Sequence, residues 1–564
     1  MSLEKLKQAG EAPEWLTDEG LKTLYGGYLG EGETPRLMWK RVARTAAMHL
    51  NRYDLEPRFF DAMWSNWLCL ASPVATNMGS SKGLPISCNS SSVGDSLQNI
   101  MEKATELAIL SKHGAGMGMY LGNLRARGAI VQGTGGFSDG PMAWAKIFDS
   151  TVHSVSQGGF RRGSAAVYMP ENHPDIYDFL DMRRPTGDLA KRCLNLHHGV
   201  SFGDEFMHDL IAGNKVNRKL WHHFLTARIE TGEPYALFRD HANNQKPQWF
   251  KDQNLMIETS NLCNEIMLPT DPQHTFVCCL LSLNVARWDE WKNTDVVELA
   301  AYLLDAVITE YITKAKNIPG FESAVRFAEK SRALGIGVLG WHSLLQSRMI
   351  AFDSFEAMML NSQIFRKMRA DAERASERMA IEYGEPLWLV GYGRRNATLI
   401  AVAPTVSNST ISGGKSAGIE PEAANVYVQK SAKGTFIRKN QELVKLLQSK
   451  NLDNEDTWST INKDSGSVLN LKGLSDEEKE VFKTAREINQ FAIIKQAAQR
   501  QKWIDQGQSV NLFFASNSDP KYIHQVHLAA WEEGLKGLYY CRPEARIRAD
   551  LASRGKDECA ACEA

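Results

Sequence analysis

The apolar positions of this chain switch repeatedly between a helical and a strand period. Over 35–70 the spacing predicts two helices, TPRLMWKRVARTAAMHLNRY and EPRFFDAMWSNWLCLA, the first capped by Thr34 and entered through Pro35. A further helix is expected over 96–112, with Leu97, Ile100, Met101, Ala104, Leu107, Ala108 and Leu110 on one broad face. The segments 296–315 and 354–383 are long and strongly periodic, and shorter helices are expected around 173–183 and 518–533. Short apolar runs at 334–340 (LGIGVLG), 398–404 (TLIAVAP), 509–515 (SVNLFFA) and 535–540 (LKGLYY) read as buried strands. Between them lie a small-residue loop at 76–96, glycine-rich stretches at 113–128 and 156–170, and a hydroxyl-rich loop at 404–421. Such alternation favours an α/β fold with helices outside a sheet or barrel. The stretch after Arg542 is charged, ends DECAACEA and is expected to be a mobile tail.

Composition narrows the class. The chain has 564 residues, 43% hydrophobic and 23% charged, with a net charge of −1. That is globular composition, and the length calls for several domains or one large barrel with insertions. A charge near zero gives no general attraction to nucleic acid or to an anionic membrane. No apolar run is long enough to span a bilayer, and the first residues lack the apolar core of a signal peptide, so a cytoplasmic protein is expected. Nine cysteines, irregularly spaced, do not form a secreted disulfide framework.

The richest chemistry sits in Ser260-Asn261-Leu262-Cys263-Asn264-Glu265-Ile266. An amide, a thiol and a carboxyl alternate, so in an extended or tight-loop backbone they share a face. A carboxylate beside a thiol raises the thiol pKa and does not promote a thiolate. The pairing therefore suits hydrogen-atom chemistry better than ordinary nucleophilic catalysis. Cys278 and Cys279 lie side by side on an apparent strand, where only one can face a site. Cys88, in PISCNSSS, is a candidate partner for that one. The terminal Cys559-Ala-Ala-Cys562 reads either as a redox dithiol or as half a zinc site completed by His524 and His527. Tyr539 and Tyr540 close an apolar strand, and each glycine cluster could admit a phosphate.

In this order, PISC (85–88), GDSL (94–97), GAGMG (114–118), SQGGFRRG (156–163), SNLCNEI (260–266), CCLLSLN (278–284), LGIGV (334–338), GIEP (418–421), LYY (538–540) and the terminal CAAC resemble the catalytic large subunit of ribonucleotide reductases. The tyrosine pair with a terminal dithiol resembles class I. The resemblance implies a ten-stranded α/β barrel of two five-stranded halves around a central finger loop, with a helical N-terminal segment (1–71), a catalytic barrel (72–542) and a redox-active tail (543–564).

The same resemblance implies roles. Cys263 would carry a transient thiyl radical, Glu265 would accept a proton from the ribose 3′ hydroxyl, and Asn261 would hold the ribose hydroxyls. Cys88 and Cys278 would be the reducing pair, Cys559 and Cys562 the tail dithiol that re-reduces it, and Tyr539 and Tyr540 the radical relay. Ser72, Ser87, Ala115 and Gly116 match nucleotide contacts, and Pro404, Thr405, Val406, Ser407 and Asn408 the diphosphate loop. Asp95, Ser96, Leu97 and Arg125 match a specificity-effector site at a dimer interface, and Gln157 and Arg161 the loop that relays effector identity. Gln132 stands where many relatives carry an effector-contacting arginine.

No cofactor is expected on this chain. The radical would come from an iron or manganese centre in a separate small (beta) subunit. A deoxynucleoside triphosphate or ATP is the expected effector, and thioredoxin or glutaredoxin the expected reductant. With only ~70 residues before the first match, the expectation is that the ATP-binding overall-activity domain of many relatives is missing. Two alternatives are a cobalamin-dependent reductase on the same barrel and a non-catalytic zinc- or nucleotide-binding relative.

Overall fold

The computed structural model describes residues 2–133, 135–157, 161–431 and 434–543, with backbone alone at 156–157, 161–162, 428–431 and 434–436. The tail cysteines Cys559 and Cys562 lie outside these residues.

The N-terminal helices pack on the outside of the barrel. Pro35–Leu50 begins where Thr34 Oγ1 accepts from the Leu37 amide at 3.3 Å. It buries Met38, Trp39, Val42, Ala43, Ala46 and Leu50 against Leu55–Trp64 and Val296–Ala315. The second expected helix stops at Trp64. Asn66 takes a left-handed backbone (φ 59°), and Leu68–Leu70 is a strand antiparallel to Phe276–Asn284.

Five strands form the first half of the barrel: Cys88–Ser92, Gly116–Tyr120, Ser164–Pro170, His197–Phe202 and Tyr235–Phe238, each parallel to the next. They are almost wholly buried, as parallel strands covered by helices must be. The second half starts with Phe276–Asn284 and Leu334–Leu339, also parallel. It continues through single bridges, Ile336 to Ile400 and Val402 to Gln508, and ends with Leu512–Phe514 parallel to Cys541–Pro543. The halves run in opposite directions. They meet at two antiparallel seams, Cys88–Ser92 on Phe276–Asn284 and Gly537–Leu538 on Tyr235–Phe238. Ten extended segments in two sets of five thus make the α/β barrel.

Several elements are shorter than their apolar runs. The 398–404 run bridges its neighbours only at single residues, because side chains occupy its amides: the Asp505 carboxylate accepts from the Leu399 and Ile400 N–H groups at 2.9 Å each. The expected helix near 173–183 covers only Ile176–Leu180. The long periodic segments form Val296–Ala315 and Phe355–Tyr383. No helix among the described residues is long and apolar enough to cross a membrane.

Candidate active site

Between Phe238 and Phe276 the chain crosses from one half of the barrel to the other, and 255–270 enters the interior as a finger loop without regular structure. Its tip is a turn at Leu262–Asn264, with Asn264 in the left-handed region (φ 60°). Both barrel walls hold the tip. Asn264 Nδ2 donates to the Ala236 and Leu538 carbonyls at 3.0 and 3.1 Å, and the Tyr168 hydroxyl donates to the Asn261 carbonyl at 2.7 Å. The Gly507 amide donates to the Glu265 carbonyl at 2.8 Å. Gly118 explains part of the first glycine cluster: a Cβ there would overlap the Ser260 carbonyl oxygen. This glycine admits the finger loop, not a phosphate.

The loop gathers the amide, thiol and acid. Asn261 Oδ1 accepts from the Glu265 and Ile266 amides at 3.1 Å each, while its Nδ2 donates to Glu265 Oε1 at 3.0 Å. The Ser509 hydroxyl lies 2.6 Å from the Cys263 carbonyl and 3.2 Å from Glu265 Oε2, so one proton serves two acceptors. Asn261, Cys263 and Glu265 are all buried and all line one narrow cleft. Burial pushes the Glu265 carboxyl from 4.5 up to about 7, against the donors from Asn261 and Ser509 that pull it down.

Cys88 and Cys278 face each other across a seam of the barrel, as direct partners in the antiparallel register. Both are in the thiol form, and both line the cleft that holds Cys263. Cys279 points the other way and donates to the Leu304 carbonyl of a covering helix at 3.3 Å. Burial holds the Cys278 thiol well above its ordinary pKa, the neighbouring Cys279 adds to the shift, and an N–H from Gln506 opposes it.

Ser87, Gly116, Pro404, Thr405 and Asn408 complete the cleft wall. Thr405 sits at φ 56°, pinned by the Gly418 amide, which donates to its hydroxyl at 2.7 Å. The GIEP segment thereby shapes the 404–408 loop. Ser72, Ala115, Val406 and Ser407 stand nearby in sequence but are not among the cleft-lining residues. The Ser72 hydroxyl instead lies 2.6 Å from that of Tyr28 in the N-terminal segment.

Three aromatic rings lead away from the thiol. Tyr539 shares an apolar cluster with Cys263, Leu262 and Tyr168, and its ring centroid is 4.3 Å from that of Tyr540. Tyr235 packs on both, at 4.8 and 5.2 Å. The Tyr540 hydroxyl lies 3.3 Å from His197 Nδ1, which in turn meets Glu233 at 2.6 Å. Tyr235, His197, Gln506 and Ser509 are absent from the sequence-based assignment, since no motif sets them apart.

A second group gathers at the start of the helix Leu97–Lys112. Arg125 Nε donates to Asp95 at 2.8 Å, and Ser96 caps Leu97–Lys112 by accepting from the Asn99 amide at 3.2 Å. Leu97 and Met101, expected on the buried face of that helix, are exposed at 65% and 44%, and so are Ile130 and Phe137. Gln157 and Arg161 pair across a two-stranded ribbon, but their side chains lie outside the described set. The zinc reading of His524 and His527 loses support. Trp221 Nε1 donates to His524 at 2.9 Å, and both ring nitrogens of His527 are engaged, Nε2 by Arg228 Nε at 3.1 Å and Nδ1 by the Ile523 carbonyl at 2.8 Å.

Comparison with known proteins gives concordant matches. The family model for the ribonucleotide reductase barrel domain matches 86–217, 211–389 and 388–541, and that for the ribonucleotide reductase all-alpha domain matches 14–83. The solved structure of the Actinobacillus ureae class Id ribonucleotide reductase alpha subunit is 41% identical, with a TM-score of 0.88, covering 96% of this chain and 99% of that one. The ribonucleoside-diphosphate reductase large subunit of Invertebrate iridescent virus 3 is 33% identical over 96% of this chain and 98% of its own. That of Arabidopsis thaliana is 29% identical over 93% of this chain and 76% of its own.

Proposed function

Because the chain belongs to the ribonucleotide reductase large-subunit family, we propose that this cleft reduces ribonucleoside diphosphates to 2′-deoxyribonucleoside diphosphates. The observation that carries the reading is the meeting of Cys263, Glu265, Asn261, Cys88 and Cys278 on one buried cleft.

In this reading a thiyl radical on Cys263 takes the 3′ hydrogen of the ribose and leaves a carbon radical. The Glu265 carboxylate accepts the 3′ hydroxyl proton, and Asn261 hydrogen-bonds the ribose hydroxyls. A carboxyl brought to about 7 by burial is matched to proton transfer near neutral pH. The 2′ hydroxyl leaves as water on a proton from the Cys88/Cys278 pair. The two thiols supply two electrons and two protons in all and end as a disulfide, and Cys263 returns the hydrogen to C3′. Ser72, Ser87, Ala115 and Gly116 would contact the nucleotide, Ser87 and Gly116 from the cleft wall. The 404–408 loop would hold the diphosphate. Enclosure of the cleft shields the radical from side reactions.

The oxidising equivalent is supplied by an iron or manganese centre in a separate small subunit and reaches Cys263 through Tyr540 and Tyr539. Cys559 and Cys562 re-reduce the interior disulfide and are themselves reduced by thioredoxin or glutaredoxin. Asp95, Ser96, Leu97, Arg125, Gln157 and Arg161 form the effector site of a homodimer, taking a deoxynucleoside triphosphate or ATP. The exposed Leu97 and Met101 support an interface on that helix. The working division is a helical segment (1–71), a catalytic barrel (72–542) and a tail (543–564), in a cytoplasmic enzyme.

The test is CDP reduction with dithiothreitol, with and without a metal-loaded small subunit. Turnover is expected only with the small subunit and should vanish in Cys263→Ala. Undiminished turnover in that variant overturns the reading.

A further inference from the structure

The two sulfurs of the reducing pair stand in unequal surroundings. The strand Phe276–Asn284 runs between Cys88–Ser92 on one side and Leu334–Leu339 on the other. Cys278 therefore has Cys88 on one flank and Gly335 on the opposite flank, where a Cβ on Gly335 would come within 3.4 Å of its sulfur. That second flank is filled. Gln506 Nε2 lies 3.3 Å from Cys278 Sγ, and its two N–H groups are shared among that sulfur, the Leu334 carbonyl at 2.8 Å and the Thr398 hydroxyl at 2.9 Å. Its Oε1 accepts from the Met267 amide at 3.2 Å, which ties it to the base of the finger loop. Cys278 is 1% exposed. Cys88 is partly exposed on the cleft wall, and its neighbour across the next strand is Gly116, against which only the Leu262 side chain of the finger loop packs.

Thiol–disulfide exchange requires the attacking, central and leaving sulfurs to lie nearly in line. An attacker aimed at Cys278 would have to approach from the side away from Cys88, through Gln506 and the Leu334–Leu339 strand. An attacker aimed at Cys88 approaches from the cleft over Gly116, where the finger-loop side chain of Leu262 is what must move aside. Burial disfavours a thiolate on Cys278, so access and not leaving-group acidity sets the direction of attack, and Gln506 Nε2, 3.3 Å from the sulfur, offsets part of that cost.

Resting on the reading of Cys88 and Cys278 as the reducing pair, we propose that re-reduction is regiospecific: the incoming thiolate attacks Cys88, Cys278 is the leaving sulfur, and Gln506 is the positioning residue that receives its charge. The electrons balance. A dithiol reductant loses a proton to solvent, its sulfur bonds to Cys88 Sγ, and the Cys88–Cys278 bond breaks with its electron pair on Cys278, which then takes up a proton. The second thiolate of the reductant attacks its own mixed disulfide. This releases Cys88 as a thiolate that is protonated in turn, and the reductant leaves oxidised.

The test uses the full chain with its small subunit, pre-reduced and given CDP for a single turnover, so that the interior disulfide forms. A brief pulse of glutathione is stopped with acid, thiols are alkylated, and peptides are mapped by mass. Glutathione should be found on Cys88 and the alkyl group on Cys278, in about tenfold excess over the reverse. Equal labelling, or glutathione mainly on Cys278, overturns the proposal. Absence of a Cys88–Cys278 disulfide after turnover overturns the reading of the pair itself. As a second measurement, Gln506→Leu should slow reduction of the preformed disulfide by dithiothreitol about tenfold. It should also raise the share of glutathione found on Cys278. An unchanged rate and unchanged labelling in that variant remove Gln506 from the account.

Discussion

Replacing Glu265 by glutamine is expected to stabilise the protein at pH 8 while abolishing its activity. The carboxyl is buried inside the barrel, and burial lifts it from 4.5 to about 7. Lifting it that far corresponds to roughly 3 kcal/mol between its two protonation states. The sign follows from proton counting. Between pH 4.5 and about 7 the folded chain holds a proton at Glu265 that the unfolded chain has released. Stability therefore falls as pH rises through that window, and the full cost is present above it. Glutamine has the same shape and no charge to desolvate. It can still accept from Asn261, which now donates to Glu265 at 3.0 Å, and can donate to Ser509. Glu265→Gln should thus differ little from wild type at pH 4.5 and gain up to ~3 kcal/mol at pH 8. Thermal-unfolding midpoints of the two proteins, compared across that range, provide the assay. The gap should widen with pH, while CDP reduction by the variant is lost at every pH. A gap that is independent of pH, or that closes as pH rises, would refute the assignment of a neutral-leaning buried carboxyl.

Three further outcomes follow from the same geometry. Gly118→Ala places a Cβ on the Ser260 carbonyl, so it should displace the finger loop and cost at least ~100-fold in turnover. The circular-dichroism spectrum should stay native, and full activity would contradict the close approach. Tyr539→Phe and Tyr540→Phe preserve the ring packing at 4.3 Å but remove the oxidisable hydroxyl. Each should silence turnover while nucleotide binding, measured by calorimetry, stays within about twofold, and an active variant would favour a radical source that bypasses the tyrosines. Leu97→Asp, at a side chain 65% exposed, should shift the sedimentation coefficient from dimer to monomer without lowering the melting midpoint by more than ~1 °C.

The sequence carries the site better than it carries the sheet. Val296–Ala315 and Phe355–Tyr383 are legible because a helix of that length repeats its apolar period several times. Cys88–Ser92 and Gly116–Tyr120 are not, because both faces are buried and the residues are serine, glycine and methionine. The pattern of a half-exposed strand never arises, and the two segments read as loops. Asn261, Cys263 and Glu265 are legible as a local group because one turn holds all three. Their supports come from distant parts of the chain: Ser509 lies 244 positions from Glu265, and Gln506 lies 228 from Cys278. Leu97 shows the opposite failure. Its period matches a buried face, yet it is exposed in the single chain, a conflict that a second copy would resolve.

The central claim is that Cys263 removes the 3′ hydrogen of the substrate and gives it back. Reduction of CDP carrying deuterium at C3′, analysed by mass spectrometry of the product, tests it most directly. The thiol sits at the tip of a buried loop, 7% exposed, so the abstracted atom should be shielded from water while the carbon radical lasts. The account predicts dCDP that retains most of its 3′ deuterium, formed more slowly than from unlabelled CDP in direct competition. Product formed with no discrimination between the two substrates would contradict it.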